Sequence, residues 1–201
     1  REVHVERPWV VVQHVPFDSP GLIQQELHPR STTVKVSRAY LDEPLPEAEE
    51  LAGLVVMGGP MSALDDAGFP QLGAERALLK ACVERAVPVL AVCLGAQLLA
   101  AALGARVFTG PAPELGLGAV ALTDAGRRDP VFGPAGRYLP VLHWHSDTFE
   151  LPEHATLLAS SDAYPHQAYR IGSAYGLQFH LELEAAHLPE IEPHLPVGVQ
   201  I

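Results

Sequence analysis

Cysteine is scarce in this 201-residue chain: Cys82 and Cys93 are the only two. A secreted scaffold stapled by disulfides would use more, which excludes that class. Basic residues are also few, Lys+Arg 13 against Asp+Glu 24, and the net charge is −11. They form no run, so neither nucleic acid nor an anionic membrane surface is an expected partner. The segment Arg1 to Arg7 holds no apolar signal core. No internal repeat, low-complexity tract or linker interrupts the chain. Ala86 to Ala105 carries no formal charge but contains Pro88, Gly95, Gln97 and Gly104. Its pattern changes midway from strand-like to helix-like, which fits a buried strand and helix rather than a membrane span. A hydrophobic content of 48% argues against disorder. The expectation is a cytoplasmic enzyme or binding protein with one domain over residues 1–201.

Apolar runs set the order of elements. Strands are predicted at Trp9–His14, Thr32–Val36 and Gly53–Met57, and across Val87–Leu90. Helices are predicted at Gly21–Leu27, at Phe69–Arg85 and after Cys93. Short continuous apolar strands alternating with helices indicate a parallel sheet covered on both faces. Ligands in such sheets bind at the C-terminal strand ends, where Gly58-Gly59 and Cys93 both fall. The second half reads as strands at Val107–Thr109, Leu117–Leu122, Val141–His145, Thr156–Ala159, His166–Arg170 and Ala174–Phe179. Turns rich in Gly, Pro and Asp separate them.

The most informative stretch is Ala91-Val92-Cys93-Leu94-Gly95-Ala96-Gln97. It places a cysteine where a buried strand turns sharply into a helix. Small residues stand two before and two after it, the spacing of a nucleophile elbow with Cys in place of Ser. Free amides and the positive dipole end of a helix favour the thiolate there. The plain alternative is that Cys93 is a small buried hydrophobe, as Cys82 is read to be. A nucleophilic thiol also needs a base and an orienting group. His180 ends a strand, and Glu182 follows at i+2 on the same side of an extended segment. Glu182 could therefore fix the His180 tautomer.

Together, Gly58-Gly59-Pro60, Cys93-Leu94-Gly95-Ala96-Gln97 and Gly176-Leu177-Gln178-Phe179-His180-Leu181-Glu182 resemble the class I (triad) glutamine amidotransferases. Trp144-His145-Ser146-Asp147-Thr148-Phe149 and His166-Gln167-Ala168-Tyr169-Arg170 look like the GMP synthase-like stand-alone subgroup. The likeness runs from about Val10 to about Glu184. It implies an α/β, flavodoxin-like, open mixed and mostly parallel sheet with helices on both faces, plus smaller antiparallel strands in the second half. It implies Cys93 as nucleophile, His180 as general acid/base and Glu182 as its orienter. The amides of Gly59 and Leu94 would form the oxyanion hole. Gln97, Ser146 and Asp147 would bind the substrate, the last two largely through main chain. No metal or organic cofactor is implied. The ammonia would pass to a synthetase or amidase partner.

Two positions depart from the usual pattern of that family: Ala91 stands where Gly is common, and Leu181 replaces Pro in His-Pro-Glu. Neither removes a reactive atom. The trailing helix looks short or missing. Rival readings are a γ-glutamyl peptidase or hydrolase with the same triad, a redox-sensing Cys93 on a flavodoxin-like fold, and a catalytically silent subunit. A metal site at His143 and His145 is a further rival, with no third ligand at convincing spacing.

Overall fold

The computed structural model describes residues 6–30, 33–195 and 197. Most of the Arg1–Arg7 segment, the first residue of the predicted Thr32–Val36 strand and the last residues of the chain lie outside them. In chain order the main elements are β1 (Trp9–Gln13), α1 (Gly21–Leu27), β2 (Val34–Arg38), β3 (Gly53–Val56), α2 (Gln71–Glu84), β4 (Val89–Val92) and α3 (Leu94–Ala102). They continue with β5 (Val107–Leu122), α4 (Asp124–Arg128), β6 (Tyr138–Phe149), β7 (Thr156–Ser160), β8 (Ala168–Ile171), β9 (Ala174–Leu177) and α5 (Leu188–Ile191).

Among the described residues, nine strands join one sheet in the order β2-β1-β3-β4-β9-β8-β7-β5-β6. The pairings from β2 through β4 to β9 are parallel. Those from β9 to β6 are antiparallel. This is the expected α/β architecture. β9 belongs to both halves.

Alternation along the strands divides the core. Val10, Val12, Leu54 and Val56 pack under α2 and α3 with Leu72, Leu79, Leu98 and Leu99. Val11, Val55 and Met57 face the other side, against Ile23 and Leu27 of α1. Residues Leu94 to Ala100 of α3 are all buried, which accounts for the uncharged stretch noted in the sequence. A third cluster, including Val120, Phe132, Leu158 and Phe179, fills the antiparallel half.

One expectation is corrected, and one helix is added. Val107–Thr109 and Leu117–Leu122 are parts of a single strand, β5, whose pairing with β6 shifts register between Thr109 and Glu114. Pro111 and Pro113 sit in that interval, where an irregularity tolerates a missing amide donor. The helix α4 was not anticipated. It is only five residues long, too short to show periodicity, although Thr123 caps it by accepting from Gly126 N–H. The trailing helix is short, as expected: α5 spans four residues, with Pro189 in its first turn.

Gly95 explains the close seating of α3 on β3: a Cβ there would lie 2.2 Å from the Val56 carbonyl oxygen. Backbone cannot yield cheaply at that distance. Gly95→Ala is expected to destabilise the protein by about 1–3 kcal/mol, read as a lower midpoint in denaturant unfolding.

Candidate active site

β4 delivers Cys93 to the C-terminal edge of the sheet with φ 53° and ψ −107°. A non-glycine residue holds such a conformation only when its surroundings enforce it, at a cost of about 1–3 kcal/mol. The enforcement is visible. The Cys93 amide donates to Leu177 O of β9 at 2.6 Å, and α3 begins at the next residue, pinned through Gly95. The side chain is left at the N-terminus of α3, with 6% of the residue exposed.

β9 runs on to His180, whose backbone exchanges hydrogen bonds with Leu142 of β6 at 2.9 and 3.2 Å. Its Nδ1 lies 2.5 Å from Glu182 Oε1, and Glu182 Oε2 accepts from the Leu181 amide at 3.0 Å. With Nδ1 engaged, Nε2 is the ring atom left for sulfur. Burial disfavours the imidazolium. The Glu182 carboxylate and the Cys93 sulfur outweigh burial and hold the His180 pKa well above its ordinary value. Glu182 is depressed despite its own burial, because the imidazolium charge and hydrogen bond favour the carboxylate.

Cys93 and His180 border a cavity of about 700 Å³ that Gly59, Gln97, Ser146 and Asp147 also line. Gln97 Nε2 donates to Asp147 O and to Gln178 Oε1, both at 3.2 Å. His145 Nδ1 donates to the same Asp147 carbonyl at 2.7 Å, so that carbonyl is already occupied. Leu94 is buried, its Cδ2 3.1 Å from where a Gly59 Cβ would stand. A Cβ on Gly58 would lie 2.3 Å from Asp18 Oδ2, 3.2 Å from His180 Cε1 and 3.4 Å from Cys93 Cβ. The bare Gly58 α-carbon is what lets these three side chains meet.

Several residues at the site were not singled out from sequence. Gln178 is fully buried and directs Nε2 to Cys93 Sγ at 3.6 Å; its place two residues before His180 was the available signal. Asp18 comes from the β1–α1 loop, which is fastened to the His180 segment by the Leu22 amide donating to Glu182 O at 3.0 Å. Burial pushes the Asp18 carboxyl up to about 6, opposed by His180 and reinforced by Glu182.

Glu114 supplies the third group beside His143 and His145 that spacing did not reveal. β5–β6 pairing sets it opposite His145, with Oε1 2.8 Å from His145 Nε2. Gln167 Nε2 and Ser161 Oγ donate to the same carboxylate at 2.7 and 3.0 Å. Among the described residues two groups bring potential metal donors within 4.8 Å of one another: Glu114, His143 and His145, and Asp18, His180 and Glu182. The hydrogen bonds above already engage the first carboxylate and orient the second pair.

A raised carboxyl destabilises the fold once it ionises. The sign follows from tighter proton binding in the native state, so stability is lost as pH rises from about 4 to about 6. Asp18→Asn should therefore gain stability relative to the parent across that window. The gain is expected to reach about 1–2 kcal/mol above it, less than the full shift implies because Asp18 is only partly buried. Denaturant melts at several pH values measure it.

Residues 21–188 match the family described as Glutamine amidotransferase class-I. A Salmonella typhimurium protein named as glutamine amidotransferase-like, YfeJ, is 38% identical over 85% of this chain and 74% of its own length. The glutamine-hydrolyzing GMP synthase of Aspergillus fumigatus is 33% identical over 74% of this chain, which covers 28% of that longer enzyme. The crystal structure of a glutamine amidotransferase from Thermotoga maritima superposes with a TM-score of 0.87 at 30% identity, over 95% of this chain and 83% of the other. Sequence and fold agree over most of the molecule: this chain belongs to the class-I glutamine amidotransferase family.

Proposed function

We propose that residues 1–201 form one amidotransferase domain that hydrolyses the side-chain amide of glutamine through a Cys93 thioester, yielding glutamate and ammonia. The observation that carries the reading is the convergence of a strained elbow cysteine on a buried imidazole that a carboxylate clamps at 2.5 Å.

The chemistry balances with these groups alone. The Cys93 thiolate attacks the amide carbon, and the carbonyl oxygen takes the negative charge. The Gly59 and Leu94 amides hold that oxyanion. The His180 imidazolium gives its proton to the leaving nitrogen, the C–N bond breaks, and ammonia departs. The imidazole then removes a proton from water as it attacks the γ-glutamyl thioester. Glutamate leaves, and the thiolate–imidazolium pair is restored. Glu182 keeps the ring in one orientation and favours its charged form throughout.

Ammonia needs an acceptor, and we assign that step to a separate synthetase partner. The GMP synthase relative supports this, since the matched region is 28% of its length. The acidic charge balance supports a cytoplasmic setting without nucleic acid, and among the described residues no helix is long and apolar enough to cross a membrane.

Ammonia release from glutamine by the purified protein tests the reading. Cys93→Ala should remove it, and Glu182→Gln should lower kcat by about 10²–10⁴-fold. A glutamine-like diazo-ketone should label Cys93. Cys82 is fully buried on α2, and burial together with Glu49 pushes its thiol up to about 11. Labelling at Cys82 would overturn the assignment. Turnover of γ-glutamyl peptides with glutamine inert would move it to a γ-glutamyl hydrolase.

A further inference from the structure

Gly58 and Gly59 form the turn that follows β3, and neither has a Cβ to restrict its dihedrals. The peptide plane between two glycines rotates at little steric cost. Its orientation matters, because a trans peptide points its C=O and the next N–H in opposite directions, and no cis bond occurs among the described residues. In one orientation Gly59 N–H faces the reacting carbon. In the flipped one the Gly58 carbonyl does, and it would repel an oxyanion.

One side chain holds that plane. His14 Nδ1 lies 3.1 Å from Gly58 O, and its Nε2 lies 2.6 Å from Glu75 Oε2 of α2. His14 is 2% exposed and Glu75 1%. A carbonyl oxygen can only accept, so Nδ1 carries a hydrogen. The contact with Glu75 needs a second hydrogen between Nε2 and Oε2, which leaves the one on Nδ1 for Gly58 O. Glu75 Oε1 makes no hydrogen bond among the described residues, so the carboxylate is committed to His14. The imidazole also backs onto the turn, its Cβ 3.1 Å from where a Gly59 Cβ would be. Burying such a pair is a poor way to gain stability, and its use here is orientation.

We propose that His14 and Glu75 are positioning residues that lock the Gly58–Gly59 peptide with Gly59 N–H toward the reacting carbon. This rests on the reading of Gly59 as an oxyanion donor.

The test compares His14→Phe, Glu75→Leu and Glu75→Gln with the parent. Phe keeps the ring without its donors. Leu leaves the imidazole free to place its hydrogen on Nε2. Gln can donate to Nε2, which keeps the hydrogen on Nδ1. His14→Phe and Glu75→Leu should lower kcat for glutamine by about 10–10²-fold with KM nearly unchanged, while Glu75→Gln stays near the parent. Glutamate γ-semialdehyde adds to the thiol to give a tetrahedral oxyanion, and its affinity should fall by the same factor as kcat. Glutamine affinity, measured with Cys93→Ala added to each variant, should not change.

Unchanged kcat in His14→Phe and Glu75→Leu would overturn the proposal. So would parallel losses in kcat, aldehyde affinity and glutamine affinity, which mark general damage to the site, or a Glu75→Gln defect as large as that of Glu75→Leu. The parent protein tests the underlying function separately: if it neither releases ammonia from glutamine nor forms the aldehyde adduct, that reading fails first.

Discussion

Cys93 occupies a backbone conformation that L-residues avoid, and much of the surrounding packing prevents it from relaxing. β4 is held between parallel neighbours on both sides. The Cys93 amide is tied to β9, and Gly95 allows α3 to press against the Val56 backbone. The apolar burial of α3 offsets the local strain. Loosening any of these supports would let the sulfur rotate away from His180. The fold thus constrains the position where the proposed chemistry needs a fixed atom.

Electrostatics around the sulfur are similarly constrained. His180 stands between an anion-forming thiol and the Glu182 carboxylate, and both favour the imidazolium more than burial opposes it. Asp18 adds a second carboxyl to the same neighbourhood, and burial raises its pKa to about 6. The ring is thereby surrounded by acceptors of different readiness. Glu182 is favoured as a carboxylate, and Asp18 is raised to about 6.

Much of this was legible in the sequence. The runs Trp9-Val10-Val11-Val12 and Gly53-Leu54-Val55-Val56 are apolar on both faces, and only a doubly covered parallel sheet consumes such strands. The change of pattern at Cys93 marked the elbow, and i, i+2 spacing paired His180 with Glu182. The relations that escaped are long-range. His14 meets Glu75 across 61 positions and His145 meets Glu114 across 31, and neither leaves a periodic trace. Asp18 reaches the site because a loop docks on the Glu182 carbonyl, which no local pattern encodes. The continuity of β5 was hidden by its own prolines, since an irregular pairing accommodates residues that ordinarily end a strand.

The place of β9 carries a further consequence. It pairs in parallel with the strand that bears the nucleophile and in antiparallel with the half that fixes His180. Cys93 follows the strand on one side of this seam, and His180 comes from the end of β9 itself, fastened to β6 on the other side. A one-residue slip there would turn alternate side chains to the other face and carry Gln178 and His180 away from the sulfur. A nascent chain that has formed only the first half holds an unassisted thiol. On the proposed chemistry, activation of the sulfur therefore coincides with completion of the sheet.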